Sequence, residues 1–169
     1  MKIVAISGSA ANNSSTATFL YTVRNHFSGQ YEIEVFDRLR DFPLFRPEEL
    51  EKELPELIQE FKKRLIRSDA ILICTPEYTH NIPAVLKNAL EWITASGELA
   101  GKKVLPVTLT PHEPRGEWAM KSLLASLTTM KATIVAELPL YTDEMRSDNG
   151  EIGLNETTRL ILEEAFRLF

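Results

Sequence analysis

The 169-residue sequence predicts an α/β fold: a doubly wound, five-stranded parallel sheet with helices on both faces. Three observations predict it. Strand-like and helix-like segments alternate from end to end. The segment Ala70-Ile71-Leu72-Ile73-Cys74 is wholly apolar, the mark of a parallel strand covered on both faces. The breaks that follow the strands are rich in Ser, Gly and Pro. With 44% hydrophobic and 25% charged residues, the chain has ordinary globular composition, and residues 1–169 read as one domain.

The first strand, Lys2–Ile6, breaks at Ser7-Gly8-Ser9. A helix begins at Ser15 and carries Phe19, Leu20, Val23 and Phe27 on one face. Tyr31–Phe36 alternates Ile33 and Val35 with Glu32 and Glu34, a strand with one covered face and an outer place in the sheet. After a loop marked by Pro43 and Pro47, a stripe of Leu50, Leu54, Leu57, Ile58, Phe61 and Leu65 predicts a helix that starts or kinks at Pro55. The buried strand Ala70–Cys74 ends at Pro76, and Pro83 opens a helix with Val85, Leu86, Ala89, Leu90 and Ile93 inward. Val104–Leu109 is a strand despite Pro106. Met120, Leu123, Leu124, Leu127 and Met130 mark a fourth helix, and Thr133–Ala136 a fifth strand. A polar segment, Thr142–Gly153, leads to a last helix with Leu162, Ala165, Phe166 and Phe169 facing in. In a flavodoxin-like order, 2-1-3-4-5, ligands bind beyond the carboxyl ends of strands one and three. The loops after Ile6 and Cys74 are therefore the places to look.

Charge and composition exclude several classes. The net charge of −5 argues against a nucleic-acid partner. No stretch approaches the roughly 18 apolar residues of a membrane helix, and Lys2–Ile6 is too short for a signal peptide, so a cytoplasmic location is expected. The single cysteine, Cys74, rules out an intrachain disulfide or a Cys-rich metal site and reads as a small buried hydrophobe. No metal site is expected.

Ser7-Gly8-Ser9-Ala10-Ala11-Asn12-Asn13-Ser14-Ser15-Thr16 joins the first strand to the first helix. It is dense in hydroxyls and amides and holds no acidic side chain. Backbone N–H groups at a helix start, reinforced by Ser7, Gly8, Ser9, Ser14, Ser15 and Thr16, make a cradle for a phosphate dianion. Lacking both Gly-x-Gly-x-x-Gly and Gly-Lys-Ser/Thr, the loop suits a monophosphate better than a dinucleotide pyrophosphate or a triphosphate. Ser14 or Ser15 as a plain helix cap in a solvated loop is the alternative.

The most informative stretch is Thr75-Pro76-Glu77-Tyr78-Thr79-His80-Asn81-Ile82-Pro83-Ala84-Val85-Leu86-Lys87-Asn88-Ala89-Leu90-Glu91-Trp92. It resembles the signature of the NADPH-dependent FMN reductases, Pro-Glu-Tyr-Asn-x-Ser-x-Pro-Gly-x-Leu-Lys-Asn-Ala-x-Asp-Trp. Pro76, Glu77, Tyr78, Pro83, Leu86, Lys87, Asn88, Ala89 and Trp92 match; Thr79, Asn81, Ala84 and Glu91 are substitutions. The first loop resembles that family's Gly-Ser-x-Arg-x-x-Ser-x-Asn at Gly8, Ser9 and Ser14, with Ala11 where the arginine stands and Thr16 where the asparagine does. The loss of that arginine bears on phosphate affinity and on the choice between NADPH and NADH.

The resemblance implies FMN and NADPH (or NADH) as cofactors, and a homodimer or homotetramer. It also implies flavin contacts from Pro76, the backbone of Glu77 and Tyr78, Thr79, His80 and Asn81. In a third loop, Thr110, Pro111 and His112 are candidates for the ring, where the family has a Gly-Gly pair and this chain only Gly116. Other readings stay open: Glu77 as structural, Tyr78 as a core or subunit contact, His80 and His112 as surface residues, and Thr142–Gly153 as a lid, an oligomer contact or solvated loop.

The implied activity is hydride transfer from NAD(P)H through bound FMN to a small-molecule acceptor: a flavin, quinone, azo compound or metal oxyanion. The flavin carries the chemistry, so no catalytic side chain is required. The alternatives are a flavodoxin-like electron carrier, usually more acidic, and a flavin-binding regulatory subunit. A response-regulator-like domain would need acidic strand ends, which Ser7-Gly8-Ser9 and Thr75-Pro76 do not provide.

Overall fold

A computed structural model describes residues 1–145 and 152–169. Its sheet runs β2-β1-β3-β4-β5, all parallel, from β1 (Lys2–Ser7), β2 (Glu32–Phe36), β3 (Ala70–Thr75), β4 (Lys103–Thr110) and β5 (Thr133–Ile134), with β6 (Leu138–Tyr141) also paired to β4. The helices are α1 (Ser15–His26), α2 (Glu56–Arg67), α3 (Ala84–Thr94), α4 (Glu117–Thr129) and α5 (Glu156–Phe166). The alternating register of β1 and β3 sends side chains to two separate cores. Ile3, Ala5, Leu72 and Cys74 pack with Phe19, Leu20 and Val23 of α1 and Leu162 and Phe166 of α5. Val4, Ile6, Ile71 and Ile73 pack with Ile58, Phe61 and Leu65 of α2, Leu86 and Leu90 of α3 and Leu123 of α4. The half-polar β2 lies at the sheet edge, where one face suffices.

Two expectations needed correction. The fifth strand is split: β5 stops at Ile134 and β6, absent from the sequence reading, resumes at Leu138. Pro106 explains the break. Val135 N–H donates to the Val104 carbonyl, so even-numbered residues of β4 turn their backbone groups toward this edge. At position 106 the proline has no N–H to give, and the ladder skips from Val104 to Val107. Second, Leu50 is not part of the α2 stripe: the helix starts at Pro55, one of the two readings, and Leu50 lies in a separate 3₁₀ turn, Pro47–Glu51, and is 37% exposed. Part of the polar segment, residues 146–151, lies outside the described residues, and with it the lid or oligomer-contact expectation.

The motif helix α3 also fixes a neighbouring loop. Asn88 Nδ2 and Trp92 Nε1 both donate to the Pro43 carbonyl (3.0 and 2.9 Å), and Phe45 N–H donates to Asn88 Oδ1 at 2.8 Å. These two signature residues, one turn apart, hold the chain after β2; Lys87 pairs with Glu91 at the surface.

Candidate flavin site

The β1–α1, β3–α3 and β4–α4 loops all leave the carboxyl edge of the sheet, where β1 and β3 lie side by side. Gly8 sets how closely the first two approach. Its N–H donates to the Cys74 carbonyl at 2.8 Å, and a Cβ there would lie 2.9 Å from both Leu86 Cδ2 and Thr75 Oγ1. Any larger residue would push the first loop off β3 and α3.

Within the first loop the hydroxyls form a chain. Thr16 Oγ1 lies 2.8 Å from Ser7 Oγ and 2.6 Å from Ser14 Oγ, and all three residues are buried. Ser14 caps α1 by accepting from Ala17 N–H, while Ser9 Oγ accepts from Ala11 N–H. The amides of Ser15 and Thr16, in the first turn, have no carbonyl four residues back to bond. No acidic residue occupies that turn.

The second loop turns tightly: Tyr78 and Asn81 exchange N–H···O=C bonds at 2.9 and 3.0 Å, and Thr79 and His80 between them have φ of 52° and 54°. Two consecutive positive φ values define a type I′ turn, which Asn and Gly adopt readily and a β-branched residue does not. The Asn that the motif resemblance expects at position 79 suits this conformation better than threonine.

A cavity of about 300 Å³ opens between the three loops. It brings together Ser9, Ser14, Ser15, Thr16, Pro76, Tyr78, Thr110 and Pro111 from the expected set, and adds Ala11, Asn13, Leu109 and Thr142. Not one of these carries a carboxylate. Ser7 and Gly8 lie buried beneath it, and Glu77, Thr79, His80, Asn81 and His112 are not among its lining. Asn13 was legible as part of an amide-rich loop. Thr142, the first residue of the polar segment named above, follows β6, and its place in the cavity wall depends on that strand, which the sequence reading lacked.

Glu77 turns its side chain elsewhere. Its Oε2 accepts from Gly116 N–H (3.1 Å), Trp118 N–H (3.0 Å) and Ala119 N–H (3.1 Å), capping α4 from 39 or more residues away. Gly116 cannot supply that cap: it has φ 101°, and a Cβ there would sit 2.9 Å from Thr108 Oγ1. The buried Glu77 carboxylate thus ties the second loop to the third. His112 Nδ1 meets its neighbour's backbone, the Glu113 carbonyl at 3.0 Å, rather than a carboxylate. Cys74 is fully buried, which raises its thiol pKa. Arg40, from the turn after β2, donates through Nη1 to Asn12 Oδ1 at 2.8 Å, placing a guanidinium beside the loop that lacks one at Ala11.

A larger groove, about 520 Å³, runs between the C-terminal halves of α3 and α4 and shares no residue with the three loops. In a β-α-β chain those helix ends lie at the opposite edge of the sheet from the site. Among the described residues no cluster of His, Cys, Asp and Glu suits a metal ion, and no helix is long and apolar enough to cross a membrane.

The model of the NADPH-dependent FMN reductases matches residues 1–144. The chain belongs to that family. Among curated members, it is 27% identical to the NADH:(hydroxy)cinnamate reductase subunit CrdA of Vibrio ruber, across all of this chain and 85% of that one. It is 28% identical to an NADPH azoreductase of a Bacillus strain, across 90% of this chain and 83% of that one. In structure it resembles FerB, an NAD(P)H:(acceptor) oxidoreductase from Paracoccus denitrificans, with TM-score 0.83 and 20% identity over 99% of this chain and 94% of that one. The 2-1-3-4-5 strand order puts its switch point between β1 and β3, at the edge from which the three loops leave.

Proposed function

We propose that this chain is an FMN-dependent oxidoreductase that takes reducing equivalents from NAD(P)H and delivers them to a small-molecule acceptor. The observation that carries the reading is the cavity at the β1/β3 switch point, walled by the Gly8 and Tyr78 loops and free of carboxylates. Its donor set fits a flavin mononucleotide. Ser9, Ser14, Ser15 and Thr16 and the first-turn amides of α1 would hold the phosphate, neutralised in part by the helix N-terminus and by Arg40. Pro76, Tyr78, Thr110 and Pro111 would flank the ring, with the backbone of the Glu77–Asn81 turn along its polar edge.

Bound flavin would supply the hydride acceptor and donor chemistry, and the protein position and electrostatics. The type I′ turn and the Glu77 cap keep the ring-facing loops stiff, so little ordering entropy is spent when the ligand enters. Pro111 and Leu109 give one wall of the cavity an apolar surface. The reading takes residues 1–169 as one flavin-binding unit, located in the cytosol and assembled as a homodimer or homotetramer. Flavins, quinones, azo compounds and metal oxyanions are the acceptor classes it covers.

The test is a visible spectrum of purified protein with added FMN, followed by anaerobic mixing with NADPH and with NADH. Bound flavin that bleaches in a fast two-electron phase supports a reductase. Bound flavin that stays oxidised identifies a carrier or regulatory subunit instead, and failure to bind FMN removes the reading.

A further inference from the structure

A second cleft, about 330 Å³, lies on the other side of the loops that wall the flavin cavity. Pro76, Tyr78 and Pro111 face the first cavity, while Thr79, His80, Pro114, Arg115 and Trp118 face the second. We propose that this cleft seats the adenosine 2′-phosphate end of the reducing nucleotide, with Trp118 against the base and Arg115 on the phosphate. The inference rests on the NAD(P)H-oxidising reading above and goes beyond it by naming the residues that select the donor.

Aromatic surface is the first argument. Trp118 is 52% exposed on the first turn of α4, although it is among the largest apolar side chains of the molecule. It is not loose: His80 meets its ring edge-on at 6.3 Å between centroids, and Lys121 Nζ lies 4.6 Å from its centre. A fixed, solvent-facing indole is a stacking platform for a purine.

Charge is the second. Two carboxylates line the cleft, and both are engaged: Glu77 by three amides of α4, and Glu117 by Lys121 at 2.5 Å. Among the described residues Arg115 forms no ion pair, while its carbonyl accepts from Thr110 Oγ1 at 2.8 Å and so anchors its backbone to β4. Arg115 is the one Lys or Arg side chain among the lining residues, and its planar fork matches a phosphate. The third argument is place. The nicotinamide end must reach the flavin cavity, and a dinucleotide spans two clefts separated by one loop. Arg40 serves the first loop, where Ala11 stands in place of an arginine, and Arg115 is the arginine of the second cleft.

The test is calorimetric titration of the FMN-loaded protein with adenosine 2′,5′-bisphosphate, alongside adenosine 5′-monophosphate. Arg115→Ala should weaken the bisphosphate about tenfold, with Arg115→Lys in between, and leave the monophosphate unchanged. Trp118→Ala should weaken both about tenfold. No binding by the wild type, or binding unchanged in both alanine variants, overturns the proposal. So does a Trp118→Ala variant that sediments at a different mass, which would make the indole a subunit contact. The outcomes separate cleanly: wild-type protein that binds FMN and is bleached by NADPH while the titration is flat sinks this site alone, whereas protein that binds no FMN sinks both readings.

Discussion

Glu77 is the residue whose removal tests most of the site at once. One carboxylate oxygen accepts three N–H groups of α4 at 3.0–3.1 Å, and the side chain is only 6% exposed. A lost helix N-cap costs about 1 kcal/mol. A hydrogen bond to a charged acceptor contributes about 1.5–3 kcal/mol, and a carboxylate at a helix N-terminus up to about 2 kcal/mol when partly buried. These contributions overlap, so Glu77→Ala should destabilise by about 3 kcal/mol, a fall in Tm of roughly 6–12 °C for a chain of this size. Glu77→Gln keeps an acceptor oxygen and loses the charge, so about half that loss is expected. Differential scanning calorimetry reads both. FMN affinity, followed by flavin fluorescence quenching, should fall in the same order, because the carboxylate holds the second loop against the third. The reasoning is refuted if the alanine variant melts within 2–3 °C (about 1 kcal/mol) of wild type, or if glutamine costs as much as alanine.

Arg40→Ala should raise the Kd for FMN about fivefold and leave that for riboflavin, which has no phosphate, unchanged; equal effects on both ligands would remove Arg40 from the phosphate site. Thr79→Asn should stabilise by about 1 kcal/mol, read as a higher urea midpoint, since φ 52° strains a β-branched residue; an unchanged or lower midpoint would contradict the strain. Cys74 should not react with a thiol reagent at pH 8 unless the protein is unfolded. Burial raises its folded pKa above the ordinary value of 9.0, so the folded state keeps its proton when the unfolded thiol loses it. Its contribution is therefore complete below about pH 9 and is lost above that by about 1.4 kcal/mol per pH unit. Urea midpoints of wild type and Cys74→Ala from pH 8 to 10 should diverge accordingly, and parallel curves would refute the shift.

How much of this was legible differs from element to element. The apolar run Ala70–Cys74 and the alternation at Glu32–Phe36 announced a central and an edge strand, because burial on two faces or one writes itself into residue order. The 3.6-residue stripes placed all five helices for the same reason. The splitting of the outer strand was hidden, although Pro106 was visible: whether a missing N–H matters depends on which neighbour it faces, and that is a property of register.

The site divides the same way. Loop composition alone pointed to the hydroxyl-rich, acid-free turn after β1, since phosphate recognition needs only local donors at a helix start. It could not show that Glu77 turns from the cavity to cap α4, that Thr142 closes one wall, or that Arg40 comes to lie beside Asn12 across 28 residues. Local chemistry and periodicity are carried by neighbours in sequence and can be read there. Contacts between loops that leave different strands exist only once the sheet has set the strand order and brought β1 next to β3.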